Sequence, residues 1–181
     1  QTLALDKITI AEALKPAGYV SAAIGKWHVG NTPQKQGFDV GMERYDLGYK
    51  GGHFKDDGEY LTDQLTDEAI KFIQENKEKP FFLYYAMQQP HVPRTPHPRF
   101  VGKSGMGPRG DVILEADWCI GEFVKTLEKE GLLENTLIVF SSDNGPVLND
   151  GYYDDAEEKI GKHTPSGLLR GGKYSTFDAG T

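Results

Sequence analysis

The run Thr136-Leu137-Ile138-Val139-Phe140 gives way at once to Ser141-Ser142-Asp143-Asn144-Gly145. A short apolar, β-branched run without polar alternation predicts a strand buried on both faces of a parallel sheet. In open α/β sheets, ligands bind just beyond the carboxyl ends of such strands. Asp143 and Asn144 therefore stand where they can offer oxygens to a hard cation or make an orienting hydrogen bond. The same residues also suit a plain turn, because Asp, Asn and Gly tolerate left-handed backbone.

Two further segments repeat this layout. Pro80-Phe81-Phe82-Leu83-Tyr84-Tyr85-Ala86 leads into Gln88-Gln89-Pro90-His91-Val92-Pro93, and Tyr19-Val20-Ser21-Ala22-Ala23-Ile24 leads into Gly25-Lys26-Trp27-His28-Val29-Gly30. Three predicted strands thus end in Lys and His, in His, and in Asp and Asn. A single His past a strand is commonly a hydrogen-bonded structural residue. Three polar clusters at one sheet edge point instead to a shared site.

Helical periodicity fills the intervals between these strands. Ile8 to Leu14 reads as a short helix, with Ile10, Ala11 and Leu14 on one face and Pro16 and Gly18 ending it. Thr62 is placed to cap a helix running to about Asn76, with Leu61, Leu65, Ala69, Phe72 and Ile73 on one stripe. A longer amphipathic helix is expected over Asp111 to Glu130, with Ile113, Ala116, Ile120, Phe123, Val124 and Leu127 inward and Gly131 as its stop. Alternating helices and strands define an α/β fold with a mostly parallel central sheet flanked by helices.

The remaining stretches read as loops. Residues 30–59 form a long Gly-, Asp- and Tyr-rich excursion, within which Gly37-Phe38-Asp39 begins a short strand. Residues 90–109 carry five prolines and three glycines, the composition of a rigid irregular loop. After Pro146 the periodicity fades. The acidic run Asp154-Asp155-Ala156-Glu157-Glu158 reads as a solvated face. The chain is expected to be an incomplete segment of a larger domain, and residues 1–181 to belong to that one domain.

Bulk properties narrow the function classes. With 181 residues, 38% of them hydrophobic and 26% charged, the chain can bury a substantial core. No apolar stretch approaches the roughly 18 residues that cross a bilayer. A net charge of −7 and a pI near 5.2 argue against broad binding to nucleic acid or anionic membranes. The lone Cys119 shares helical spacing with Ala116, Ile120 and Phe123, which predicts a packing role.

Four motifs in order carry a resemblance. Gly25-Lys26-Trp27-His28-Val29-Gly30, Pro90-His91-Val92-Pro93, Ser142-Asp143-Asn144-Gly145 and Leu169-Arg170-Gly171-Gly172-Lys173 resemble those of type I sulfatases, of the alkaline phosphatase superfamily. The resemblance implies cleavage of aryl or carbohydrate sulfate esters. It implies that Lys26 and Lys173 contact the sulfate, that His28 assists proton traffic at the nucleophile, and that His91 protonates the leaving alcohol. It further implies that Asp143 and Asn144 ligate Ca2+, with Mg2+ as the alternative. His163, in Lys162-His163-Thr164-Pro165, is placed at the substrate entrance or in a plain loop; His97 and His53 rank below it. Trp27 is assigned to packing.

The family's nucleophile is a formylglycine made from the first residue of a Cys-x-Pro-Ser-Arg or Ser-x-Pro-Ser-Arg motif. Neither Cys119-Ile120-Gly121-Glu122 nor Thr164-Pro165-Ser166-Gly167 fits that motif. The family's amino-terminal Asp-Asp pair is also missing. The expectation is a longer parent that hydrolyses sulfate esters in the periplasm, a secretion or the lysosome. This piece needs the remainder of the parent catalytic domain and is inactive alone. Two other readings stay open: a phosphonate or phosphodiester hydrolase of the same superfamily, and a non-catalytic relative that binds sulfated glycans.

Overall fold

In a computed structural model, residues 2–180 are described. The chain divides into two compact units, one formed by residues up to Gln88 with Cys119–Asn135, the other by Gln89–Trp118 with the residues from Thr136 on.

The first unit is built on three parallel strands, β1 (Val20–Gly25), β2 (Val40–Met42) and β3 (Phe81–Ala86), in the order β2-β1-β3. The central β1 pairs Ile24 with Met42 on one side and with Tyr85 on the other, so the three strands end almost level. Alternation of side chains splits β1 between two cores. Ala22 and Ile24 face helix α2 (Leu61–Glu75) and pack with its Leu61, Leu65, Ala69 and Phe72. Ala23 faces the other way, toward Ala11 and Phe38. Each fully buried leucine or isoleucine of this kind contributes about 1.5–3 kcal/mol.

Helix α1 (Ile10–Leu14) starts with a capping box: Thr9 Oγ1 accepts the Glu12 amide at 3.2 Å, and the Thr9 amide donates to Glu12 Oε2 at 2.8 Å. Only Ala11 of its expected apolar face is buried, and Ile10 is exposed. Helix α2 is preceded by Tyr60, which offers no side-chain cap. Thr62 lies inside the first turn instead, buried, where its carbonyl accepts the Thr66 hydroxyl at 2.7 Å. Thr66 Oγ1 also lies 3.4 Å from Cys119 Sγ, and Cys119 is fully buried, as its spacing predicts.

Helix α3 spans Gly107–Lys129, four residues further toward the amino terminus than the Asp111 start predicted. Asp111, just after that extra turn, is buried and accepts the Gly102 amide at 2.7 Å and the Ser104 amide and hydroxyl at 3.0 and 2.7 Å. Burial pushes its carboxyl up, but the donors at Ser104, Gly102 and Lys103 outweigh burial and leave it below the ordinary range. Ile113 is turned outward, while Arg109, Val112, Glu115 and Ala116 are buried. The buried face of this half of α3 is polar as well as apolar, so apolar spacing alone misplaces it.

The predicted strand at Thr136–Phe140 does not form. The run is irregular, with Leu137 88%, Val139 77% and Phe140 72% exposed. A strand needs lateral hydrogen-bond partners whatever its residue propensity, and among the described residues the sheet pairs β1, β2 and β3 alone. From Thr136 onward the second unit is held by turns and side-chain bonds. No described helix is long and apolar enough to cross a membrane.

Candidate active site

The site residues of the first unit leave the sheet at a close backbone approach. Gly25 has φ 108° and pairs with Ala86, and a Cβ there would land on the Ala86 carbonyl oxygen. The Lys26 amide donates to that same oxygen at 2.9 Å. Glycine is thus required at the last residue of β1, and it turns the chain so that Lys26 and His28 lie beyond the sheet edge. Trp27 packs edge-on against Phe38 and Tyr84, with ring centroids at 5.6 and 6.3 Å, and its indole N–H donates to the Asn31 carbonyl. That anchor confirms the packing role and leaves its two neighbours free to face outward: Lys26 is half-buried and His28 exposed.

Glu43, the residue after β2, belongs to the same rim and was not singled out from the sequence. Burial and the Asp46 charge raise its carboxyl, against the Trp27 amide and His28, which both favour the charged form. The signal that could have found it is positional: it follows directly on a strand that ends level with β1.

In the second unit, two of the motif segments are tied together. The Lys173 amide donates to the Pro146 carbonyl at 3.0 Å, which brings the lysine's loop to the turn Asp143-Asn144-Gly145. A Cβ at Gly145 would overlap the Ala179 carbonyl oxygen, so glycine is needed there too. The Lys173 ammonium meets Asp150 Oδ2 at 3.1 Å. Hydrogen bonding to Asp150 raises the lysine's pKa above its ordinary value, in spite of burial. The Asp150 carboxyl is held low by the Tyr174 hydroxyl and by Lys173, and the charge of His91 acts in the same direction. Asp150, as the partner of Lys173, is a second residue of the candidate site that was not singled out from the sequence.

His91 stands between two cis prolyl bonds, Gln89-Pro90 and Val92-Pro93, with Nδ1 2.7 Å from the Val92 carbonyl. Arg94 fixes this loop. Its side chain is fully buried and reaches the carbonyls of Pro90, Leu148 and Val147, and it pairs with Asp154 at 3.1 Å. Asp154 also accepts the Arg94 amide at 2.9 Å. The acidic run is therefore not a uniformly solvated face: Asp154 points inward to Arg94, and only its neighbours Asp155, Glu157 and Glu158 pair at or face the surface. Hydrophobicity gave no sign of this pair, since a buried arginine reads as a surface one.

Asp143 and Asn144 are the right donor type for a hard cation. The Asp143 carboxylate is exposed, while the Asn144 amide nitrogen donates to Gly145 O at 2.9 Å, which leaves its side-chain oxygen to accept or ligate. They offer two of the six to eight oxygens that Ca2+ takes. No group of three or more His, Cys, Asp or Glu among the described residues completes a metal site. His163 lies in the second unit beside the start of α3, where burial and then the Arg109 charge lower its imidazole.

Of the sequence-predicted residues, Lys26 and His28 thus fall together in the first unit. His91, Asp143, Asn144, His163 and Lys173 fall in the second, where Pro146 and Asp150 tie the Lys173 loop to the segment that carries Asp143 and Asn144.

Lys26 and His28, just past the end of β1, stand where open parallel α/β sheets bind their ligands. The sulfatase family model matches residues 2–179. An N-acetylgalactosamine-6-O-sulfatase of Bacteroides thetaiotaomicron is 37% identical, over 96% of this chain and 50% of its own length. Human arylsulfatase A is 29% identical over 98% of this chain and 41% of its own. A solved structure described in terms of the metabolism of multiple glycosaminoglycans by Bacteroides thetaiotaomicron superposes with TM-score 0.85 at 34% identity, covering 98% of this chain and 53% of that one. The chain belongs to the sulfatase family. It spans about half the length, or less, of the relatives it matches.

Proposed function

We propose that this chain is the part of a sulfuric ester hydrolase that binds the sulfate and protonates the leaving group, and that the longer parent cleaves aryl or carbohydrate sulfate esters. Lys26 and Lys173 hold the sulfuryl oxygens, where fixed positive charge counts most as the transition state gathers negative charge. His91 gives a proton to the departing alcohol oxygen, and His28 handles the proton of the attacking group. Asp143 and Asn144 hold an edge of a divalent cation, Ca2+ by donor type with Mg2+ as the alternative, which would neutralise charge on the sulfate. His163 stands at the substrate entrance.

The attacking group would be a formylglycine from outside residues 1–181, which would supply the nucleophile. Without it the 181-residue chain turns over no sulfate ester. By the same family likeness, the parent works in the periplasm, in a secretion or in the lysosome, on a small-molecule or glycan sulfate.

The observation that carries this reading is the Lys173–Pro146 bond at 3.0 Å, which unites the lysine with the Asp143-Asn144 turn in a chain of the sulfatase family. A side-by-side assay of the full-length parent tests it. Turnover of an aryl sulfate ahead of an aryl phosphate diester is expected. Preference for the diester would assign the parent to phosphodiester chemistry, and binding of sulfated glycan without turnover of either would make it a non-catalytic relative.

A further inference from the structure

Arg109 sits in the first turn of α3 and is only 6% exposed. Among the described residues, no hydrogen bond or ion pair reaches its guanidinium, and Nε is buried without an acceptor. His163 Nε2 is likewise buried without a partner. The loop carrying His163 is pressed against the beginning of the same helix. A Cβ at Gly107 would lie 2.6 Å from the Lys159 carbonyl oxygen, and one at Gly161 would lie 3.0 Å from Gly105 O. The His163 amide is itself satisfied by Ile160 O at 3.2 Å, so it is the ring nitrogen that lacks a partner.

Nearby charges do not answer this need. Arg94, whose field reaches Arg109, is committed to Asp154. Asp111, two residues along the helix, spends its carboxylate on the Gly102 and Ser104 donors. Burial and like charge disfavour the cationic forms of Arg109 and His163 alike. A buried guanidinium without a counter-charge is costly. The amino end of a long helix adds partial positive charge and free N–H groups to the same place. Every feature of the spot calls for an acceptor that carries negative charge.

We propose that Arg109 Nε and His163 Nε2 hold a small oxyanion, as a site separate from the Lys26 and Lys173 cations. The chemistry is that of a sulfate or carboxylate group, offered either by free sulfate or by a second acidic group on a glycan. The proposal extends the placement of His163 at the substrate entrance, but it holds or fails without reference to turnover.

The test is an NMR titration of the histidine rings in the full-length parent, with the His163 signal assigned by its disappearance in His163→Gln. Inorganic sulfate and sodium glucuronate are added separately. A bound anion favours the imidazolium, so the His163 midpoint is expected to rise by about one pH unit. A response to sulfate alone assigns a tetrahedral oxyanion; a response to glucuronate assigns a glycan carboxylate. Arg109→Met is expected to remove the response, and Arg109→Lys, which keeps the charge but loses Nε, to weaken it at least tenfold in anion concentration. A His163 midpoint unmoved by either anion, or moved equally in Arg109→Lys and wild type, would overturn the proposal.

Discussion

The Lys173 ammonium lies 3.1 Å from Asp150 Oδ2, while the Tyr174 hydroxyl donates to Oδ1 of the same carboxylate at 2.9 Å. The proposed sulfate-binding lysine is thus oriented by an acid four residues beyond Pro146, its own backbone partner.

This pair sets a pH dependence. The Asp150 pKa is depressed, so its contribution to stability is present above the unfolded value near 3.8 and is lost as pH falls through the lower folded one. The Lys173 pKa is raised, so its contribution is present below 10.5 and is lost as pH climbs through the higher folded one. Asp150→Asn removes the raising influence. In the parent, the alkaline limb of kcat/KM for an aryl sulfate is expected to begin at a lower pH in this variant, a shift a pH–rate profile reads directly.

Removing either lysine proposed to hold the sulfate should act on the transition state. Lys26→Ala and Lys173→Ala in the parent are each expected to lower kcat roughly a hundred- to thousandfold, the loss typical of one oxyanion-stabilising donor. Steady-state kinetics on an aryl sulfate measure this; a change confined to KM would mean that the lysine serves only ground-state binding.

Arg94 and Asp154 form a buried pair, with side chains 0% and 7% exposed. Arg94→Met would strand the carboxylate and three carbonyls, at a cost of about 3–5 kcal/mol. Adding Asp154→Leu is expected to restore part of that loss, because the stranded charge goes too. Urea unfolding of the two variants beside wild type supplies the comparison.

Gly25→Ala introduces a Cβ at φ 108° and drives it into the Ala86 carbonyl. Left-handed backbone costs about 1–2 kcal/mol and overpacking about 1–3 more, so a loss of roughly 2–5 kcal/mol is expected. The unfolding midpoint reports it. Because Lys26 hangs from the same oxygen, turnover should fall along with stability.

The sheet was legible wherever burial and pairing coincide. Phe81–Ala86 forms as predicted because a continuous apolar run there lies beside β1, and α2 forms because its stripe from Leu61 to Ile73 meets Ala22 and Ile24. Thr136–Phe140 carries an equally strong local signal but has no neighbouring strand among the described residues; pairing is a property of the partner, not of the run. β2 is only three residues long, too short for periodicity to resolve beyond the start suggested at Gly37-Phe38-Asp39. The candidate site residues stand out in the sequence as motifs, yet their structural supports do not. Asp150, Arg94 and Asp154 act through long-range polar contacts, and no spacing rule links residues 94 and 154. Arg109 and Glu115 occupy a helix face that apolar patterning assigns to Ile113.

We propose that Lys173, on the loop tied to Pro146, holds a sulfate beside the Asp143-Asn144 turn. A crystal structure of the full-length parent with inorganic sulfate tests this most directly. The Lys173 Nζ is expected about 2.7–2.9 Å from an oxygen of the bound ion, with His91 and Asp143 at its rim. A sulfate bound elsewhere, with the Lys173 ammonium still paired to Asp150 alone, would contradict the proposal.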